Sequence, residues 1–364
     1  MKKHNIKNER VKRKFIRWLR EADGCCEATI SNIEKAVLIY EEFTKAADFG
    51  LYSPDRAIEF KKYLKKREFR GKLISITTYY TYLRHLRKFF TWLAWQPGYK
   101  SKISHDSIDY LKIKEKEERM ATQTTPRNYP SLEYVTSLAN SINIESEVDQ
   151  RDRALISFTL LSGMRDEAIV TLPLDCFDEE NLIINQNPRA GVRTKFSKYI
   201  LTSLFRFDEK LLEYVVDWVK YLKRKGLGSA DPLFPRSKNK QGNENLSFES
   251  ATEIEPIFWQ GTGRIREIFK KRSQAAGLPY FPPHTFRHLA VDLALKHCRT
   301  GEEIKAISQN FGHEHIATTL SSYANYGSAR LTEILKSIDF SGKQPISDHR
   351  LYEQIEKLIL DNRK

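Results

Sequence analysis
The chain has 364 residues, room for two domains, and its apolar fraction of 40% is that of a globular protein. It carries 61 Lys and Arg against 47 Asp and Glu, a formal net charge of +14, which sets up a positive field that attracts polyanions and favours nucleic acid as partner. There is no run of about 18 uncharged apolar residues and no apolar h-region behind the charged N-terminus, and Cys25, Cys26, Cys176 and Cys298 are too scattered or too directly adjacent for a CxxC pair. Neither a membrane span nor a secretory signal is supported, and a cytoplasmic protein with free thiols rather than a cysteine metal centre is expected.

Nine Lys or Arg residues against one Glu fall in the first twenty positions and run into an amphipathic stretch, Arg10 to Glu21, with Val11, Phe15, Trp18 and Leu19 on one side. A second helix is predicted over Thr29 to Thr44 and a third opens at Ser53-Pro54-Asp55, with Ser as cap, Pro in the first turn and Ile58, Phe60 and Leu64 as its stripe. The fourth, Ser75 to Trp95, repeats Leu83, Leu86, Phe90 and Leu93 helically and sets Arg84, Arg87 and Lys88 on another side. These four form an all-α N-terminal domain over residues 1–120. The pattern breaks at Gln96-Pro97-Gly98, and ATQTTPRNYP at 121–130, with two prolines and no apolar period, reads as a linker.

A second domain, 131–345, opens with a helix at Ser131 and another at Asp149 whose Leu155, Phe158 and Leu161 end at Ser162-Gly163, so that Arg165 emerges just past a helix-terminating glycine. Short apolar runs at Leu182 to Ile184 and Tyr199 to Leu201, with turn-rich sequence between them, predict a small antiparallel sheet with Lys195 in or near a hairpin. Asp208 to Lys225 is helical again, and the polar segment from Gly226 to Gly263 reads as a loop. Pro283 opens a helix that sets His284 and Arg287 three apart on one face, where a single phosphate is within reach of both. Thr300-Gly301-Glu302-Glu303 is a capping box for a helix that Gly312 ends, with His313 next. Residues 346–364 place Leu351, Ile355 and Leu358 at helical spacing, an amphipathic tail that docks on its own domain or on a neighbouring copy.

The stretch LLSGMRDEAIVTLPLDCFD, the HxxR of His284 and Arg287, and FGHEHIATTLSSYANY, which fits GHxxxxTTxxxY, together resemble the motifs of the tyrosine recombinase (phage integrase) family in order and spacing. One departure stands out: the family usually has a Glu three positions after the first Arg, whereas here Ala168 is at that place and Glu167 is one earlier. The resemblance implies a fold that is mainly α with a small antiparallel β-sheet, an N-terminal helical core-binding (SAM-like) domain and an α+β catalytic domain. It implies a site-specific recombinase acting on double-stranded DNA through a 3′-phosphotyrosyl intermediate, belonging to a mobile genetic element and assembling on DNA as a tetrameric synapse. Tyr323, ten residues after His313, would be the nucleophile, with Tyr326 its competitor. Lys195 would protonate the leaving 5′ oxygen, Arg165 and Arg287 would neutralise the non-bridging oxygens, and His284 and His313 would bind the phosphate or assist the tyrosine proton. No cofactor or metal is implied. Two alternatives share the fold: a type IB topoisomerase-like relaxing enzyme and a non-catalytic DNA-binding regulator.

Overall fold
The structure, a computed structural model, describes residues 5–123, 128–238, 252–298 and 300–317, together with 240–241, 248–249, 319 and 336. Tyr323, Tyr326 and the amphipathic tail at 346–364 lie outside the described residues. The fold is mainly helical with small antiparallel sheets, and the chain divides into two compact units, Met1–Gln123 and Thr124–Lys364.

In the first unit, α1 (Ile6–Glu21) begins a turn earlier than the apolar stripe alone suggests, because Asn5 accepts from the backbone N–H groups of Lys7 and Asn8 and caps it there. It is followed by α2 (Glu27–Phe43), α3 (Pro54–Lys65) and α4 (Ile76–Ala94). Their shared core is largely aromatic: Phe15, Tyr40, Phe60, Phe89 and Phe90 are all buried and meet mostly edge to face. The stripe expected for α3 is corrected at one place, since Ala57 takes the buried position beside Phe60 and Leu64 while Ile58 is 36% exposed. The apolar pattern also gives no sign of a two-residue hairpin, β1 (Glu68–Phe69) with β2 (Lys72–Leu73), or of two short helices, α5 (His105–Ile108) and α6 (Glu115–Thr122). These elements are too short for a hydrophobic period to register, and α6 takes in two residues assigned to the linker.

The second unit is built around α8 (Glu147–Ser162), which is buried on nearly every side and therefore lacks the one-sided stripe of a surface helix. Against it pack α7 (Leu132–Asn140), α10 (Glu209–Arg224) and α12 (Pro283–His297), with α11 (Gly263–Ala275) against α12 in turn. Between α8 and α10 lie the single turn α9 (Asp166–Ile169) and a three-stranded antiparallel sheet in the order β3 (Phe177–Asp178), β4 (Ile183–Gln186), β5 (Ile200–Ser203). Both longer strands start one residue later than the apolar runs do, because Leu182 turns into β4 at a φ of 58° and Tyr199 still belongs to the connecting segment. The segment from Gly226 to Gly263 is not wholly a loop: β6 (Arg236–Ser237) pairs with β9 (Ile254–Glu255), and β7 (Lys240–Gln241) with β8 (Phe248–Glu249). The last described helix, α13 (Gly301–Asn310), starts on the expected capping box, with Thr300 and Glu303 bonded reciprocally.

Candidate active site
Two glycines create the geometry of the site. At the end of α8, Gly163 takes a φ of 55°, and a Cβ there would stand 2.2 Å from Phe311 Cε1, so only glycine fits both the turn and the close approach. At the end of α13, Gly312 takes a φ of 67°, and a Cβ there would stand 2.4 Å from Ile200 Cδ1 at the head of β5. The first turn delivers Arg165, which caps α9 half-buried; the second delivers His313.

Arg287 joins the two turns. It is 7% exposed, and its guanidinium donates from Nη1 to Gly163 O at 2.6 Å and from Nη2 to Phe311 O at 2.7 Å, lying 5.0 Å from the centroid of the Phe311 ring. The same Nη2 is 2.9 Å from His313 Nε2. A guanidinium has only donors, so Nε2 must accept and the proton of the neutral ring sits on Nδ1, which is 2.8 Å from Thr319 Oγ1. Thr319 Oγ1 in turn donates to Ser308 Oγ at 2.9 Å. Burial, then the positive charges of Arg287, Arg165 and Lys195, pull the His313 pKa from 6.5 down to about 3, which keeps the ring neutral at any ordinary pH.

Arg165 and Lys195, from two further elements, thus add their charge to that of Arg287 in the field at this imidazole. Lys195 lies in the turn between β4 and β5, exposed, its ammonium 4.9 Å from the centroid of the Phe196 ring. Lys198 in that turn pairs with Glu314, which ties the turn to the residue after His313. His284, in the first turn of α12, stands exposed toward solvent, its ring 6.1 Å from that of the buried His288. It contributes to the field at Asp166, the residue directly after Arg165. The expectation of His284 and Arg287 on one face needs refinement: Arg287 points into the protein against two carbonyls, and His284 points out.

Three acids lie close in sequence to these residues. Glu167 pairs with Arg193 at 3.4 Å and Glu314 with Lys198. Asp166 is 9% exposed, and burial pushes its carboxyl pKa up, toward the neutral form. The site therefore offers a concentrated patch of positive charge with a neutral imidazole at its centre, suited to a phosphate whose charge grows in a transition state. Among the described residues no group of three or more His, Cys, Asp or Glu side chains is placed to hold a metal ion, and no helix is long and apolar enough to cross a membrane. Sequence reasoning gives no role to Thr319, Ser308 or Asp166. Thr319 is within its reach, as the second Thr of the TT pattern, whereas Ser308 and Asp166 carry no signal short of the folded contacts.

The profile of the phage integrase family matches residues 132–329. Tyrosine recombinase XerD of Pseudomonas putida is 25% identical over 207 residues, 55% of this chain and 58% of that protein, so the match spans a little over half the length of that relative. Among solved structures, a lambda integrase dimer bound to a COC' core site superposes with a TM-score of 0.59 at 12% identity, covering 88% of this chain and 96% of that one. The Tn1549 transposon integrase in complex with transposon right end DNA gives 0.55 at 16% identity, covering 90% and 98%. At these identities the two likenesses speak for the fold.

Proposed function
The chain belongs to the phage integrase family, and from that membership we propose that it is a site-specific DNA recombinase that cleaves and rejoins duplex strands through a 3′-phosphotyrosyl intermediate. The observation that carries the reading is Arg287 pinned at 2.9 Å on a neutral His313, in a field to which Arg165 and Lys195 add their positive charge.

In the proposed reaction the Tyr323 phenol oxygen attacks phosphorus in line, forming the Tyr–P bond as the bond to the 5′ oxygen breaks. Lys195, on the exposed turn, gives a proton to that leaving oxygen. Arg165 and the pinned Arg287 stabilise the charge on the non-bridging oxygens, and the phenolic proton passes to the exposed imidazole of His284, while the neutral His313 holds Arg287 in place. The phosphodiester energy is kept in the covalent link, so a 5′ hydroxyl from the partner strand can reverse the step without a nucleotide cofactor. The Tn1549 integrase was solved in complex with transposon right end DNA, which supports a mobile-element setting for this chain as well. Assembly as a tetramer on DNA, in the cytoplasm, with the tail at 346–364 bridging copies, completes the proposal.

The test is a nicked suicide duplex carrying a site that the protein has selected from a random-sequence pool. The protein should form an adduct that survives a denaturing gel, and Tyr323→Phe should abolish it. Tight binding without any adduct would instead leave a DNA-binding regulator, and an adduct lost only in Tyr326→Phe would move the nucleophile.

A further inference from the structure
The turn that carries Lys195 is built against its own backbone preferences. Phe196 and Ser197 both lie at positive φ, 61° and 51°, a region in which an L side chain crowds its own backbone. Such strain persists only where the surroundings impose it. Here Thr194 Oγ1 donates to Lys198 O at 2.6 Å across the turn, and Lys198 is anchored to Glu314. Just beyond, Ile200 fills the space that a Cβ on Gly312 would need, Thr202 Oγ1 donates to Asn310 O at 2.8 Å, and Ser203 N donates to Asn310 Oδ1 at 2.7 Å.

The strained turn presents an aromatic ring to water. Phe196 is 75% exposed, the most exposed aromatic side chain of the described residues, on a turn held beside His313. Two ammonium groups lie against the ring, Lys195 Nζ at 4.9 Å and Lys198 Nζ at 5.7 Å from its centroid. An apolar protein pocket would have to accept the Lys195 ammonium and the Lys198–Glu314 pair along with the ring. A DNA base step offers a π face to the ring and a phosphate to the Lys195 ammonium, so the complementarity is to nucleic acid.

We propose that Phe196 is a base-contacting wedge, its ring entering the duplex at the base step beside the phosphate held by Arg165 and Arg287, and thereby placing Lys195 at the leaving oxygen. Apolar side chains that enter a base step part the stacked bases. The inference rests on the strand-cleavage reading and adds to it a residue that touches the bases.

The experiment uses the full chain and the selected suicide duplex with 2-aminopurine placed, one position at a time, on either side of the scissile phosphate. Binding of wild type should raise fluorescence at one position, reporting a parted step. In Phe196→Ala that rise should vanish and the DNA concentration for half-maximal adduct formation should increase about tenfold, a typical loss for one aromatic–base stack. Phe196→Trp should restore both, while Phe196→Gly, which relieves the positive φ, should raise the Tm yet lose the fluorescence signal. Unchanged fluorescence and adduct formation in Phe196→Ala, alongside an active wild type, would overturn the inference alone. Absence of any adduct with wild type would overturn the cleavage reading and this inference with it.

Discussion
At the scale of single residues, the order Arg, Lys, His, Arg, His is readable because most of these residues follow a helix-ending glycine or open a helix, and such ends have sequence signatures. Their electrostatic state is not readable. The neutrality of His313 depends first on its burial and then on Arg287, Arg165 and Lys195, which lie 26, 148 and 118 positions away in the chain. This carries a pH prediction. With a folded pKa of about 3 against 6.5, the unfolded chain takes up a proton below pH 6.5 that the folded chain refuses. The stability this group contributes is complete above pH 6.5 and is lost progressively as the pH falls toward 3. In urea titrations, the gap between wild type and His313→Gln should therefore be widest at pH 7 and narrower at pH 4.5; a gap independent of pH would mean that folding leaves the His313 pKa unshifted.

At the scale of elements, α1 to α4, α8, α10 and α12 are visible from their apolar residues, and the sheet from its change of period. Short elements such as α5, α6 and β6 to β9 are not, since two to eight residues cannot show a period, and α11 goes unassigned. The two glycine turns are where element geometry becomes site geometry. Gly163→Ala forces a Cβ into Phe311 and moves the carbonyl that receives Arg287. The overpacking should cost roughly 1–3 kcal/mol in chemical unfolding, and adduct formation should fall further than that loss of stability explains. A second element-level device supports α8 from behind. Asp152, 3% exposed, accepts from Arg151 through Oδ1 and from Arg272 through Oδ2, and Arg272 also reaches Asp149. Asp152→Ala strands a buried guanidinium at the helix and should destabilise the second unit by about 3–5 kcal/mol, measured by thermal or urea unfolding. In sequence Arg151 and Asp152 look like an ordinary charged turn of a helix; only the packing of α8 on all sides makes them interior.

At the scale of the whole molecule, the net charge of +14 gives the chain a general affinity for polyanions, and the site concentrates that charge where a phosphate would react. DNA affinity should fall steeply with salt, and Arg165→Ala should reduce the log–log salt slope by about one, since each neutralised phosphate contributes about 0.9. An unchanged slope would remove Arg165 from the phosphate contacts. The two compact units, Met1–Gln123 and Thr124–Lys364, each have a hydrophobic core of their own. The most direct test of the proposed chemistry is to trap the covalent complex on the suicide duplex, digest protein and DNA, and locate the nucleotide by mass spectrometry. We expect a single modified peptide with the phosphate on Tyr323; a phosphate on Tyr326 or another side chain, or no modified peptide from a DNA-bound protein, would contradict it.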